Sequence, residues 1–269
     1  MLVTDSTYYL PQVLAMAPDK TFATGANQPL LLRGFCQQIG REEDYVLKGS
    51  GGERMGPAAF ERELLGSYAA WQVGLQAVEP VQVTVLPEFA ELLRGQPAYG
   101  LIAKSIGSNY GSVFRQGREF VAGQPLSTPE LEQAKLIFAF DVLIQNPDRR
   151  PGKQNMLTDG TSIVLLDHEL AFSFTQALFP ARYPWLIPDE DLHWIRNHYF
   201  YSHLRGKRID FRPLSVKLQQ LDASFWAHAQ QHVPPEWRTA GGPAIEAYLS
   251  KALTHVEEFT THLNRITAA

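Results

Sequence analysis

The chain has 269 residues, 45% of them hydrophobic and 19% charged, and 24 basic against 28 acidic side chains leave a net charge of −4 near neutral pH. A chain of this size buries roughly three quarters of the surface its unfolded form exposes, so its core requires no disulfide or metal staple. The single cysteine, Cys36, excludes a disulfide framework or a Cys-rich zinc site within the chain, and the acidic balance argues against direct nucleic-acid binding, which draws on Lys and Arg neutralising phosphates.

A lone thiol fits a reducing compartment. The first residues carry no basic stretch followed by an apolar one, so no secretory leader is expected. The longest apolar run, 136–144, is too short to span a bilayer and contains Asp141. These features predict a cytoplasmic protein with no membrane span.

The first hundred residues are strand-rich. An apolar run over 28–35 and a second strand over 45–48 flank a polar turn signal at 40–44, the pattern of a hairpin. A glycine-rich loop over 49–56 follows, then a helix over 57–73, with Pro57 in its first turn and Gly74 at its end. Phe60, Leu64, Tyr68 and Trp71 recur at helical spacing and form its buried stripe. Strands are predicted over 81–86 and 99–106, with a hinge over 107–111.

The remainder reads as mainly helical. Ser127 and Glu130 form a capping-box pattern opening a helix that runs to about Gln145 and is apolar nearly all round, hence buried. A polar loop spans 146–155, a short strand 163–166 and a proline-rich loop 180–188. Helices are expected over 189–201, 214–232 and 244–267.

The residues that carry chemistry lie in that polar loop and after the short strand. Asp148 and Asn155 share the loop, and Asp167, His168 and Glu169 end the strand. A metal-dependent phosphoryl transferase needs such a set: one carboxylate to orient and deprotonate the accepting hydroxyl, and an amide with a second carboxylate to hold magnesium against phosphates. Upstream, Lys48 ends an apolar strand and Glu63 lies on the next helix, the pair that kinases use to hold phosphates. Taken singly, each has a plainer reading. Lys48 and Glu63 suit a solvated surface, Asp148 and Asn155 suit turns, and Asp167 suits a cap. The ordered company of all five favours a shared site. Arg149 and Arg150 either bind phosphate or anchor the loop to a carboxylate. His193, His198 and His203 recur every five residues, which at about 100° per residue does not keep one helical face, so a three-His metal site is not predicted. His255 and His262 share a face but lack the acidic residue of a zincin pattern. Cys36 has apolar neighbours and is read as core.

These segments resemble the HipA-like kinase family, in particular its small stand-alone members. The resemblance rests on the segment 25–32 with its Pro29-Leu30-Leu31, on Tyr45-Val46-Leu47-Lys48, on Glu63, on the Asp148-Arg149 loop ending in Asn155, and on the apolar strand ending in Asp167-His168. It covers roughly residues 22–175. It implies an α+β, bilobal, protein-kinase-like fold, with a strand-rich N-lobe over 1–107 and a mainly helical C-lobe over 108–269. It further implies ATP and Mg2+ as cofactors and a protein substrate, with transfer of the γ-phosphoryl group to a Ser or Thr hydroxyl. Under the resemblance Lys48 contacts the ATP phosphates and Glu63 positions Lys48. Asp148 acts as catalytic base, and Asn155 and Asp167 bind magnesium. The segment containing Ser105, Gly107 and Asn109 faces adenine through its backbone. Either Gly25 or the glycines after Lys48 cover the phosphates. Two features depart from the family pattern: Glu169 stands where glycine is usual, and no strong glycine-rich phosphate loop is present. They keep open a catalytically inactive nucleotide-binding pseudokinase or scaffold. A kinase of a small-molecule or lipid hydroxyl is the other alternative.

Overall fold

A computed structural model describes residues 2–22, 27–121, 123–178, 182–207 and 209–268. The chain is mixed α and β. Strands β1 (Gln12–Thr21), β2 (Leu30–Cys36) and β3 (Arg41–Lys48) are followed by helix α1 (Pro57–Gln72), then β4 (Gln76–Ala77) and β5 (Pro80–Val85). Two short helices, α2 (Pro87–Glu91) and α3 (Tyr99–Ala103), lead to β6 (Gly107–Val113) and β7 (Arg118–Glu119). Helix α4 (Thr128–Leu143) precedes a hairpin of β8 (Met156–Thr158) and β9 (Ile163–Leu165). The C-terminal part holds α5 (Leu192–Arg196), α6 (Tyr201–Leu204), α7 (Ser215–Leu218), α8 (Ala223–Gln231), α9 (Gly241–Leu253) and α10 (Val256–Ala268).

Five strands close a barrel in the order β1-β2-β3-β6-β5. The predicted hairpin is its centre: β2 and β3 pair antiparallel from Leu30 opposite Leu47 to Cys36 opposite Arg41. Alternation explains the closure, because Leu30, Leu32, Tyr45, Leu47, Val81, Val83 and Val85 all turn inward and are buried together. Cys36 belongs to this core, as its apolar neighbours predict. The second sheet, ordered β4-β9-β8-β7, carries the hairpin that follows the polar loop.

A separate, larger apolar core gathers α1, α4 and the C-terminal helices. Phe60, Leu64 and Tyr68 are buried in it, and Trp71 packs against it partly covered. Helix α4 starts at the predicted capping box: Ser127 Oγ accepts from Glu130 N, and the Glu130 carboxylate accepts from Ser127 N.

Several expectations fail, each for a specific physical reason. Residues 99–103 form helix α3 rather than a strand, and in the turn that follows it Ser105 Oγ donates to Leu101 O at 2.9 Å. The hinge predicted over 107–111 is instead the first part of β6, paired to β5 along its whole length. The long helices of the C-terminal part are broken. The chain leaves α5 before His198, whose ring is drawn to Asp141 and whose Nδ1 accepts from Phe200 N. Asp222 caps α8 through Phe225 N at 2.9 Å, which separates it from α7. Helices α9 and α10 part at Thr254–His255, where the His255 ring stacks on Trp185. The 180–188 loop lies partly outside the described residues. Among the described residues no helix is long and apolar enough to cross a membrane.

Candidate functional site

The site begins with a buried ion pair that no substrate need touch. Asp141 sits inside α4 with no exposed surface, where an unpaired carboxylate would be prohibitively costly. Arg149 Nε donates to Asp141 Oδ2 at 2.7 Å, His198 Nε2 donates to the same oxygen at 3.0 Å, and Asn146 Nδ2 reaches Oδ1 at 3.2 Å. Burial alone would raise the Asp141 pKa, but Arg149 and His198 overcome it and hold the group down at about 2. His198 is kept neutral by its own burial, against the pull of Asp141.

Arg149 then fixes two other segments. Its Nη1 donates to the Asn155 carbonyl at 2.5 Å and to the Leu166 carbonyl at 3.2 Å. Leu166 N returns to Asn155 O at 2.9 Å, closing the base of the β8–β9 hairpin. One guanidinium therefore registers the amide of the polar loop against the residue before Asp167. Of the two roles open to Arg149, the structure assigns carboxylate anchoring; Arg150 lies exposed.

The residues singled out by sequence converge around this frame. Lys48 Nζ donates to Glu63 Oε1 on α1 and, at 2.9 Å, to Asp167 Oδ1. Glu63 Oε2 accepts from His168 N at 2.8 Å, so this carboxylate ties α1 to both the lysine and the Asp167 segment. Asp148 is buried, and its Oδ2 accepts from Lys153 Nζ and, at 3.2 Å, from Asn155 Nδ2. Asn155 and Asp167 both take positive φ, 51° and 58°. Asn and Asp tolerate that region better than other residues with side chains, and such strain gathers at functional sites. Glu169 is not among the positive-φ residues, so the glycine usual there is not needed for its backbone conformation.

The close approach of α1 to this segment depends on Gly66. A Cβ there would lie 2.6 Å from the His168 Cβ.

Burial lowers the Lys48 pKa, but Asp167 and Glu63 outweigh it and hold the ammonium well above its ordinary range. Burial raises Glu63 to about 7, against the attraction of Lys48. Burial opposes ionisation of Asp167 as well, yet Lys48 keeps that carboxyl below its usual range. Burial, then the Asp167 charge, push Glu169 up. Burial, with Arg149 alongside, pushes His168 down to about 3. The oxygens of Glu63, Asp167 and Glu169 lie within 4.8 Å of one another, a group able to hold a cation. All the donors are hard oxygens, the set magnesium prefers.

In the segment expected to face adenine through its backbone, two side chains brace a loop. Asn109 Oδ1 accepts from Ser50 N at 2.8 Å and Ser105 Oγ from Gly51 N at 2.9 Å, so both brace the loop after Lys48. Asn109 Nδ2 donates in turn to Ser105 O and Gly107 O. Gly107 to Asn109 belong to a barrel strand, and the chain leaves the barrel only after Val113. Gly25 lies outside the described residues. The histidines form no three-His site among the described residues: His193, His198, His203 and His255 each meet a carbonyl or carboxylate oxygen.

A family model described as HipA-like kinase matches residues 21–269, nearly the whole chain. The chain belongs to the HipA-like kinase family. No curated protein matches it. Family membership extends beyond the segments the motifs covered, through the C-terminal helices. Sequence reasoning missed the parts that Asp141, Lys153 and His198 play in this family member. Asp141 alone gave a signal, since a carboxylate in a helix apolar all round must find a buried partner.

Proposed function

We propose that this chain is an ATP- and Mg2+-dependent kinase that transfers the γ-phosphoryl group to a hydroxyl, with a Ser or Thr of a protein as acceptor. The observation that carries the reading is the shared lysine: Lys48 bonds Glu63 and Asp167 together, beside the Asp148–Asn155 loop. Membership of a kinase family supports the same class of reaction. Magnesium, when bound, neutralises charge on the phosphates. Asp167 and Asn155 are the residues to hold it, and their oxygen donors suit its chemistry. Lys48 orients the phosphates, and Glu63 keeps Lys48 in place. Asp148 accepts the hydroxyl proton, and Lys153, against its carboxylate, is placed to balance charge there.

In this reading the protein is bilobal. The barrel forms one lobe and the helical part the other, with the boundary after Val113 rather than at 107. The segment 114–117, which links β6 to β7 and approaches Leu157 of β8 at Gly117, takes the adenine edge in place of Ser105, Gly107 and Asn109. Glu169 does not argue for an inactive protein, because its backbone carries no strain that glycine would relieve.

The test is transfer of label from γ-labelled ATP with magnesium, to the protein itself or to a protein acceptor. Asp148→Asn keeps nucleotide binding and lowers transfer by about 10²–10⁴-fold. Wild-type protein that binds ATP and transfers nothing would refute the catalytic half.

A further inference from the structure

Glu169 reaches across the site to a residue outside the catalytic set. Its Oε2 accepts from Asn27 Nδ2, 142 residues away in sequence, and both side chains are buried. Asn27 Oδ1 accepts from Arg54 N at 3.2 Å. On the other side, Arg62 Nε of α1 donates to the Glu169 carbonyl at 2.7 Å. Glu169 is thus held from behind by α1 and holds, through one amide, both the residue leading into β2 and the loop that follows Lys48.

Two roles compete for this carboxylate. It lies within reach of Glu63 and Asp167 and could serve a cation as a third acidic ligand. The geometry points instead to a positioning residue: Glu169 clamps Asn27, and with it the 49–54 loop, onto the Asp167 segment, and so sets the fit of the triphosphate. The Asn27 N–H commits Oε2 to the bridge, while Oε1 keeps its lone pairs, so Glu169→Gln is the variant that separates the two roles. Asn27 also spends its other end on Arg54, which makes it a bridge rather than a solvated side chain. The loop is held independently by Asn109 and Ser105 through Ser50 and Gly51, so the clamp fixes its far end only.

The inference rests on the proposed nucleotide site, and its test separates the two. Calorimetry measures affinity for the magnesium complex of a non-hydrolysable ATP analogue. Hydrogen exchange at the Arg54 amide is followed without nucleotide. Glu169→Ala and Asn27→Ala should each weaken affinity roughly tenfold, as loss of a buried hydrogen bond to a charged group predicts. The double variant should be no weaker than the worse single one. Each should also speed exchange at Arg54. Glu169→Gln, which still accepts from Asn27, should behave as wild type. Asn27→Asp should fail alone and recover when combined with Glu169→Gln, because the new amide then donates to the new carboxylate. Additive singles, or unchanged exchange at Arg54, would overturn the clamp. So would a Glu169→Gln variant as weak as Glu169→Ala and needing more magnesium, which is the signature of a metal ligand. Wild-type protein with no affinity for the nucleotide would refute the site itself, while the exchange data would still decide the clamp. If Glu169→Ala does not fold, the Asn27 variants and the reversed pair test the same bond.

Discussion

Lys48 and Asp167, 119 residues apart in sequence, meet at 2.9 Å. The contact joins the end of a barrel strand to the residue after the β8–β9 hairpin, and Glu63 closes the triangle from α1. Lys48→Met removes the one ammonium that answers both carboxylates. In the proposed kinase it lowers kcat/KM by about 10²-fold or more, the scale for losing a charged group aimed at a transferring phosphoryl. Steady-state kinetics with varied ATP checks this.

Arg149 matters for a different reason. It is fully buried and satisfies Asp141 while fixing the carbonyls of Asn155 and Leu166. Arg149→Leu leaves Asp141 charged and short of its partner inside α4, which costs about 3–5 kcal/mol. Arg149→Lys recovers only part of this, since one ammonium cannot reproduce the planar fork. Urea unfolding of the three proteins measures both effects. The double variant Asp141→Leu, Arg149→Leu should be less destabilised than Arg149→Leu alone.

Gly66 sets how closely α1 approaches the segment that carries Asp167 and His168. Gly66→Ala brings a methyl group into the space of the His168 side chain, and overpacking of this kind costs about 1–3 kcal/mol. Because His168 follows Asp167, the substitution should also weaken magnesium-dependent nucleotide binding. Thermal unfolding and calorimetry on the same sample report the two consequences.

The buried His168 gives stability a pH dependence with a defined sign. Its pKa falls from 6.5 to about 3 on folding, so between these values the unfolded chain binds the extra proton. The His168 contribution is therefore lost as pH drops from 6.5 towards 3, with a slope approaching about 1.4 kcal/mol per pH unit, while Glu63, raised from 4.5 to about 7 on folding, acts in the opposite direction between those two values. Asp141, held at about 2 in the folded state, acts lower. Its contribution is complete above the unfolded value of 3.8 and disappears as pH falls through 2. Urea unfolding at pH 7, 6, 5 and 4 isolates His168 as a difference: the stability of wild type relative to His168→Gln should fall as the pH is lowered.

The sequence points to Lys48, Glu63, Asp148, Asn155 and Asp167 because phosphate and magnesium call for those residue types, and the structure brings Lys48 together with Glu63 and Asp167, and Asp148 with Asn155. The β2–β3 hairpin and the α4 capping box were legible because turn and cap signals are local. What was not legible is set by tertiary contacts. His198 ends α5 because Asp141 draws its ring, and nothing near His198 in sequence says so. Residues 99–106 have strand-like composition, yet they fold as helix α3 and a turn whose Ser105 hydroxyl bonds Leu101 O and braces the loop after Lys48. Asn27 and Glu169 find each other only when the barrel and the hairpin are both in place.

The most direct test of the shared site is a crystal structure with magnesium and a non-hydrolysable ATP analogue. The account predicts phosphate oxygens within hydrogen-bonding distance of Lys48 Nζ, and a cation coordinated by Asp167 and Asn155. A nucleotide bound elsewhere, or a cation that touches neither residue, would contradict it.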